Sequence, residues 1–311
     1  MPHPAPRDVV ALALDDRMVY GFIVLTYSLV TNSHKDAYFL VGFFDGQLSN
    51  RNQILIKNYL DWLGWDYELR QLEPDDLFTE RRHLTMTTFS KFILADYFTE
   101  AHLWLDIDTI ALDGWEGIFA SLHAAADDVS LVVADKIESP HTRFDGFNAG
   151  VLGWTTRKRE EWLPALASLP EKRFSSEQYL FNELYKDGIQ RVPASFNFLS
   201  SWHKESSAEK PAFIIHYSGP LKPWHLARRH APAWRAINQL WEKWFDAEAE
   251  MLSTVADTPF AKDINEEKRR GLFTARLYLG KGSLPSWVMR ALAVLGPLGD
   301  PVVALISRRS S

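Results

Sequence analysis

One apolar run that stops at two spaced carboxylates constrains this chain more than any other feature: Ala101-His102-Leu103-Trp104-Leu105-Asp106-Ile107-Asp108-Thr109-Ile110. Short, branched and aromatic, the run reads as a buried strand whose carboxylates fall at its end. Side chains alternate along a strand, so Asp106 and Asp108 are expected on one side and Leu105 and Ile107 on the other. Two carboxylates so placed repel each other unless a cation joins them. With Mg²⁺ or Mn²⁺ they become a diphosphate site, because hard cations take carboxylate oxygens and leave positions open for phosphate. Chance alone supplies Asp-x-Asp in most chains of this length, so the reading depends on what surrounds it.

The surroundings alternate strand and helix. Val9 to Leu14 is an apolar stretch of strand length that runs into Asp15-Asp16. A helix is expected through Gly21 to Val30, and a second strand over Ala37 to Phe44 closes at Asp45-Gly46. Leu48 to Leu63 has helical spacing, Tyr67 to Leu72 reads as a third strand, and Thr85 to Phe98 as the helix feeding the central run. Ser130 to Ala134, ending at Asp135, Phe147 to Trp154, and Phe213 to His216 complete the strands. Helices are expected over Arg157 to Leu169 and Ser175 to Lys186. Such alternation argues for an α/β fold with a largely parallel sheet and ligands at the carboxyl ends of its strands. Both acidic pairs sit at such ends.

From about residue 225 the character changes. Trp234 to Glu250 and Lys262 to Leu279 read as amphipathic helices, the second rich in Lys268, Arg269, Arg270 and Arg276. Leu284 to Ile306 is mostly apolar but interrupted by Pro285, Arg290, Pro297, Asp300 and Pro301, too broken for a membrane span. Followed by Arg308 and Arg309, it could equally lie on an anionic bilayer or pack on the domain. The expected organisation is a domain over 8–225 and a helical extension over 226–311.

Composition narrows the classes. The net charge of −6 does not suggest a nucleic-acid binder dominated by phosphate contacts. With no cysteine, disulfides, thiolate metal sites and cysteine nucleophiles are all excluded. That fits a cytoplasmic location, and no signal peptide is visible in residues 1–16.

Three segments then fall in order: Leu105-Asp106-Ile107-Asp108-Thr109, Phe147-Asn148-Ala149-Gly150-Val151-Leu152, and His216-Tyr217-Ser218-Gly219-Pro220-Leu221-Lys222-Pro223-Trp224. The set resembles the family 8 retaining glycosyltransferases, which include glycogenin and the bacterial lipopolysaccharide galactosyl- and glucosyltransferases. The likeness covers roughly residues 8 to 225. It implies a GT-A-type nucleotide-sugar-binding domain, a mostly parallel twisted sheet flanked by helices. By that likeness Asp106, Asp108 and His216 would hold Mn²⁺ (or Mg²⁺) against the diphosphate of a UDP-sugar. An imidazole beside two carboxylates suits Mn²⁺ better than Ca²⁺. Lys222 would reach a phosphate oxygen, and the Gly219-Pro220 turn would let the backbone come close to it.

The same likeness implies further roles. Asp15 and Asp16 would read uracil and ribose, although a solvated turn is the ordinary use of such a pair. His83 falls near the donor. Lys91 stands where the family carries arginine, at donor phosphate or sugar; it keeps the charge but loses the bidentate fork. Asp135 and Asn148 match donor-sugar contacts. Glu177 and Gln178 match an acidic-Gln pair beside the reactive carbon, and Glu177 is also well placed for helix capping.

The expected chemistry is transfer of a hexose, galactose or glucose, from UDP to a hydroxyl of a glycan. Gln178 is a weak nucleophile, which favours a front-face route with Gln178 or Asp135 positioning the sugar. The acceptor is expected to be a lipopolysaccharide or other surface glycan, presented by lipid at the cytoplasmic face of the inner membrane. Two alternatives stand: a UDP-sugar-binding protein without catalysis, and a metal-dependent nucleotidyltransferase. The second usually has a glycine-rich loop after its first strand, where this chain has Asp15-Asp16-Arg17-Met18.

Overall fold

The computed structural model describes residues 8–74, 86–135, 146–156, 162–168, 177–200, 212–218, 222–225 and 240–278. The chain opens with β1 (Val9–Ala13), α1 (Val19–Thr31), β2 (Tyr38–Phe44), α2 (Asn50–Leu63) and β3 (Tyr67–Leu72). A 3₁₀ turn at Met86–Phe89 leads into α3 (Ser90–Tyr97), β4 (His102–Leu105), β5 (Thr109–Ala111), α4 (Gly117–His123) and β6 (Leu131–Ala134). Then come β7 (Val151–Trp154), α5 (Trp162–Ser168), α6 (Glu177–Leu184) and β8 (Ile189–Val192). A 3₁₀ turn at Ala194–Asn197 precedes β9 (Phe198–Leu199) and β10 (Ile214–His216); another at Pro223–His225 precedes α7 (Trp241–Thr254) and α8 (Ala261–Tyr278). The expected start of α7 at Trp234 and the apolar tail over 284–306 lie outside the described residues.

The main sheet runs β3-β2-β1-β4-β7-β6-β8. β1 pairs in parallel with β2 and β4, β2 with β3, and β6 with β8, while β7 runs antiparallel to both β4 and β6. This is the expected mostly parallel α/β sheet. Alternation along β1 supplies both faces: Val10 and Leu12 join one core, and Val9, Ala11 and Ala13 the other. A fully buried aliphatic or aromatic side chain contributes about 1.5–3 kcal/mol, and cores on both faces explain why these strands are continuously apolar.

α1 is apolar all round because it is covered all round. The sheet lies on one side. On the other, Trp244, Phe245 and Met251 of α7 share its core, and Tyr20 donates to Glu248 at 2.7 Å. α8 is tied to α2 through Arg51, which bonds Asp263 and Glu266 at 2.9 Å and Glu267 at 3.0 Å. α2 carries its own signals: Ser49 caps its start by accepting from Asn52 N–H, and Gly64, at φ +90°, ends it. Among the described residues, no helix is long and apolar enough to cross a membrane.

The run from Ala101 to Ile110 does not stay in one strand. β4 stops at Leu105, residues 106–108 turn, and β5 departs into a second sheet of order β5-β10-β9. Asp106 and Asp108 are therefore brought together by a turn and not by strand alternation. Thr109 closes that turn, its N–H donating to the Asp106 carbonyl at 3.2 Å and its Oγ1 at 2.8 Å. A β-branched Thr with a hydroxyl competes for the backbone in this way, and that turn was hidden inside an apolar pattern.

Candidate active site

The turn after β4 is held from two sides. Asp106 N–H donates to the Gly150 carbonyl at 2.8 Å, and Tyr217 N–H, just past β10, donates to the Asp108 carbonyl at 2.8 Å. The antiparallel pairing of β10 with β5 sets His216 opposite Thr109. One ligating atom each from Asp106, Asp108 and His216 fall within 4.8 Å of one another. Among the described residues these three form the one such cluster of carboxylate and imidazole groups.

Each carboxylate also has a lysine. Asp108 is buried, lies 3.3 Å from His216 Nε2 at Oδ1, and pairs with Lys222 Nζ at Oδ2. Burial alone would push the Asp108 carboxyl up. The Lys222 ammonium and His216 more than offset that, and hold it well below the usual carboxylate range. Asp106 accepts from Trp104 Nε1 at 2.8 Å and lies 3.0 Å from Lys91 Nζ. Lys91 is buried, and Nζ also donates to the Ala149 carbonyl at 2.9 Å. It is expected at donor phosphate or sugar, and its ammonium is bonded to the carboxylate that would hold the metal.

The Phe147-to-Gly150 segment and α6 meet beside this cluster. Asn148 Nδ2 donates to Gln178 Oε1 at 2.9 Å, and the segment is pinned by Asn182, which accepts from Phe147 N–H at 2.7 Å. Asn197 was not singled out in the sequence; it is buried, with Oδ1 3.0 Å from His216 Nδ1. Nothing marked it beyond a polar residue amid Phe196 and Phe198.

The remaining expected residues are placed as follows. Asp15 accepts from Arg17, at 2.8 Å from N–H and 3.0 Å from Nε. Asp16 accepts from Ser49 N–H at 2.9 Å and Asn52 Nδ2 at 2.8 Å, joining the β1 end to the start of α2. Asp135 is exposed and pairs with Arg191 at 3.1 Å. Glu177 is the first residue of α6. His83 and Gly219 lie outside the described residues.

Residues 9–227 match the sequence description of glycosyl transferase family 8. The chain belongs to that family. A lipopolysaccharide 1,3-galactosyltransferase of Salmonella typhimurium is 27% identical over 247 residues, 70% of this chain and 72% of the relative. Among solved structures, an active-site mutant of LgtC matches with a TM-score of 0.61 at 21% identity, covering 78% of this chain and 95% of that one. The glycosyltransferase GlyE of Streptococcus pneumoniae matches with a TM-score of 0.61 at 21% identity, covering 83% of this chain and 65% of that one. At those identities the structures speak to the fold, a GT-A-type glycosyltransferase architecture.

A divalent cation fits what this glycosyltransferase presents. Two carboxylates and one imidazole converge, a donor set of oxygen with nitrogen that can hold a divalent metal ion. Gly150 leaves the space that lets His216 reach the cluster: a Cβ there would come 2.2 Å from His216 Cε1.

Proposed function

We propose that this family 8 glycosyltransferase moves a hexose, galactose or glucose, from a UDP-sugar to a hydroxyl of a glycan acceptor, with retention of configuration. The observation that carries this is the convergence of Asp106, Asp108 and His216 within 4.8 Å, with Lys222 against Asp108. The galactosyltransferase named above supports galactose as donor sugar and a lipopolysaccharide as acceptor. Residues 8–225 would form the catalytic domain and 226–311 the extension. The interrupted tail with Arg308 and Arg309 supports peripheral placement at the cytoplasmic face of a membrane.

Asp106, Asp108 and His216 would hold Mn²⁺ or Mg²⁺, which supplies electrostatic stabilisation of the leaving diphosphate. Lys222 adds a second positive charge on the same leaving group, where charge develops as the glycosidic bond breaks. The anomeric carbon–oxygen bond to phosphate breaks and a bond to the acceptor oxygen forms on the same face. The acceptor proton passes to the departing phosphate oxygen. Gln178 and Asn148 orient the sugar, and Asp15 and Asp16 would face the nucleoside. Lys91 holds Asp106 in place and offsets its charge.

The test is UDP release from a panel of UDP-sugars with Mn²⁺ or EDTA, comparing wild type with Asp108→Asn. The expected result is slow, Mn²⁺-dependent hydrolysis of one sugar nucleotide, lost in the variant. Pyrophosphate in place of UDP would point to nucleotidyl transfer, and no binding of any UDP-sugar would overturn the reading.

A further inference from the structure

We propose that Asn197 is a positioning residue that fixes the nitrogen His216 turns to the cation and, together with the Gly150 N–H, holds the Asn148 amide that sets which end of Gln178 faces the sugar. This rests on the metal site proposed above.

Side-chain amides are ambiguous between oxygen and nitrogen unless a neighbour of known polarity decides them. Here a backbone group decides each one. Asn197 Nδ2 lies 3.1 Å from the main-chain carbonyl of Asn148, which can only accept. Oδ1 is therefore the Asn197 atom 3.0 Å from His216 Nδ1. An amide oxygen only accepts, so His216 carries a proton on Nδ1 and donates it. The lone pair that a bound cation meets is then on Nε2, the nitrogen that lies 3.3 Å from Asp108 Oδ1, so the cation takes the place of a proton between the two. Hydrogen bonding at one ring nitrogen setting the ligand at the other is the usual means of orienting a metal-binding histidine.

The same amide acts in the other direction. Gly150 N–H donates to Asn148 Oδ1 at 3.0 Å, and Asn197 Nδ2 donates to that oxygen at 3.0 Å. Asn148 must therefore turn its Nδ2 to Gln178, whose Oε1 lies at 2.9 Å. Ala149 N–H approaches the same Gln178 oxygen at 3.4 Å. The Gln178 carbonyl is thus engaged on the protein side, and its NH₂ is the end left for the donor sugar. His216, Asn197, Asn148 and Gln178 form one chain of fixed polarity, in which Gln178 serves the sugar as a hydrogen-bond donor and not as a nucleophile.

The test is Mn²⁺ titration followed by electron paramagnetic resonance of the free ion, on wild type, Asn197→Ala, Asn197→Asp and Asp108→Asn, each checked by thermal unfolding. Asn197→Ala should bind Mn²⁺ about 10- to 100-fold more weakly, the usual loss when a ligand's own hydrogen-bond partner is removed. Asn197→Asp still accepts from Nδ1–H, so its affinity should stay within about threefold of wild type. That carboxylate cannot donate to Asn148, so UDP release should fall about tenfold in Asn197→Asp with Mn²⁺ affinity retained. A merely structural Asn197 would leave the two variants alike in Mn²⁺ affinity; that result, or an unchanged Asn197→Ala, overturns the proposal. Unchanged turnover in Asn197→Asp overturns the Gln178 arm. Should the variants not fold, proton–nitrogen correlation spectra of histidine-labelled wild type decide: an unprotonated Nδ1 on His216 overturns the proposal. Wild type binding Mn²⁺ no better than Asp108→Asn would instead remove the metal site itself.

Discussion

A Cβ added to Gly150 would lie 2.2 Å from His216 Cε1 and 2.5 Å from its Nδ1. The backbone that passes His216 this closely also accepts from Asp106 N–H, so one glycine touches both sides of the Asp106–Asp108–His216 cluster. Gly150→Ala must therefore move the imidazole or the turn. We expect the alanine variant to remain folded, destabilised by about 1–3 kcal/mol in urea denaturation as overpacked sites generally are. UDP release should fall more than tenfold, as the loss of a ligand position implies. Full activity in a folded Gly150→Ala protein would show that the imidazole need not stay where it is.

Lys91 offers a second prediction. Its ammonium is 3.0 Å from Asp106 and 2.9 Å from the Ala149 carbonyl. Methionine fills similar space but leaves Asp106 without that cation, so Lys91→Met should lower stability by about 1–3 kcal/mol. Lys91→Arg keeps the charge but brings a wider, planar head into a space shaped for an ammonium. Activity should therefore drop in both variants, with stability better kept in Lys91→Arg. Equal stability for the two would mean that shape and not charge matters at this position.

These two sites also mark what the sequence could and could not reveal. The acidic ends of β1 and β4, the buried apolar strands and the helical spacing of α2 followed from local pattern, because each is a property of neighbours in the chain. The break at residues 106–108 did not, since Thr109 and Ile110 have the same β propensity whether they extend β4 or join β10. Nor did the antiparallel β7, whose direction depends on how the chain returns through residues outside the strand itself. Lys91 against Asp106 and Asn197 against His216 join residues far apart in sequence, and no spacing rule connects them.

The helical layer beyond the sheet carries a buried ion pair that makes a third prediction. Glu248 is almost fully buried, with Lys268 Nζ at 2.9 Å and Tyr20 donating at 2.7 Å. Burial, then the Glu248 carboxylate, raises the Tyr20 phenol far above its usual value, so Tyr20 stays a donor. Lys268→Met would strand the carboxylate and should cost about 3–5 kcal/mol in urea denaturation. Adding Glu248→Gln to Lys268→Met should restore about half or more of that loss, since the uncompensated charge is gone. If the double variant is no more stable than the single one, the cost came from packing of the lysine stem.

His225 supplies a dependence on pH. It lies just past the family segment, at the end of the 3₁₀ turn Pro223–His225, and its Nδ1 accepts from Lys222 N–H at 3.2 Å. Burial, and then the Lys222 ammonium, lower its pKa from 6.5 to about 4. A nitrogen that accepts must be unprotonated, so the fold favours neutral imidazole while the unfolded chain takes a proton near the ordinary value. The stability from this group is accordingly present above pH 6.5 and is lost as pH falls toward 4. Between about pH 7.5 and about pH 5 the loss should be on the order of 1–2 kcal/mol. His225→Asn keeps an oxygen that can accept from Lys222 N–H but does not titrate. Urea denaturation at the two pH values should show a smaller decline for the variant than for wild type. Parallel declines would assign the acid sensitivity to other groups and leave His225 without a part in it.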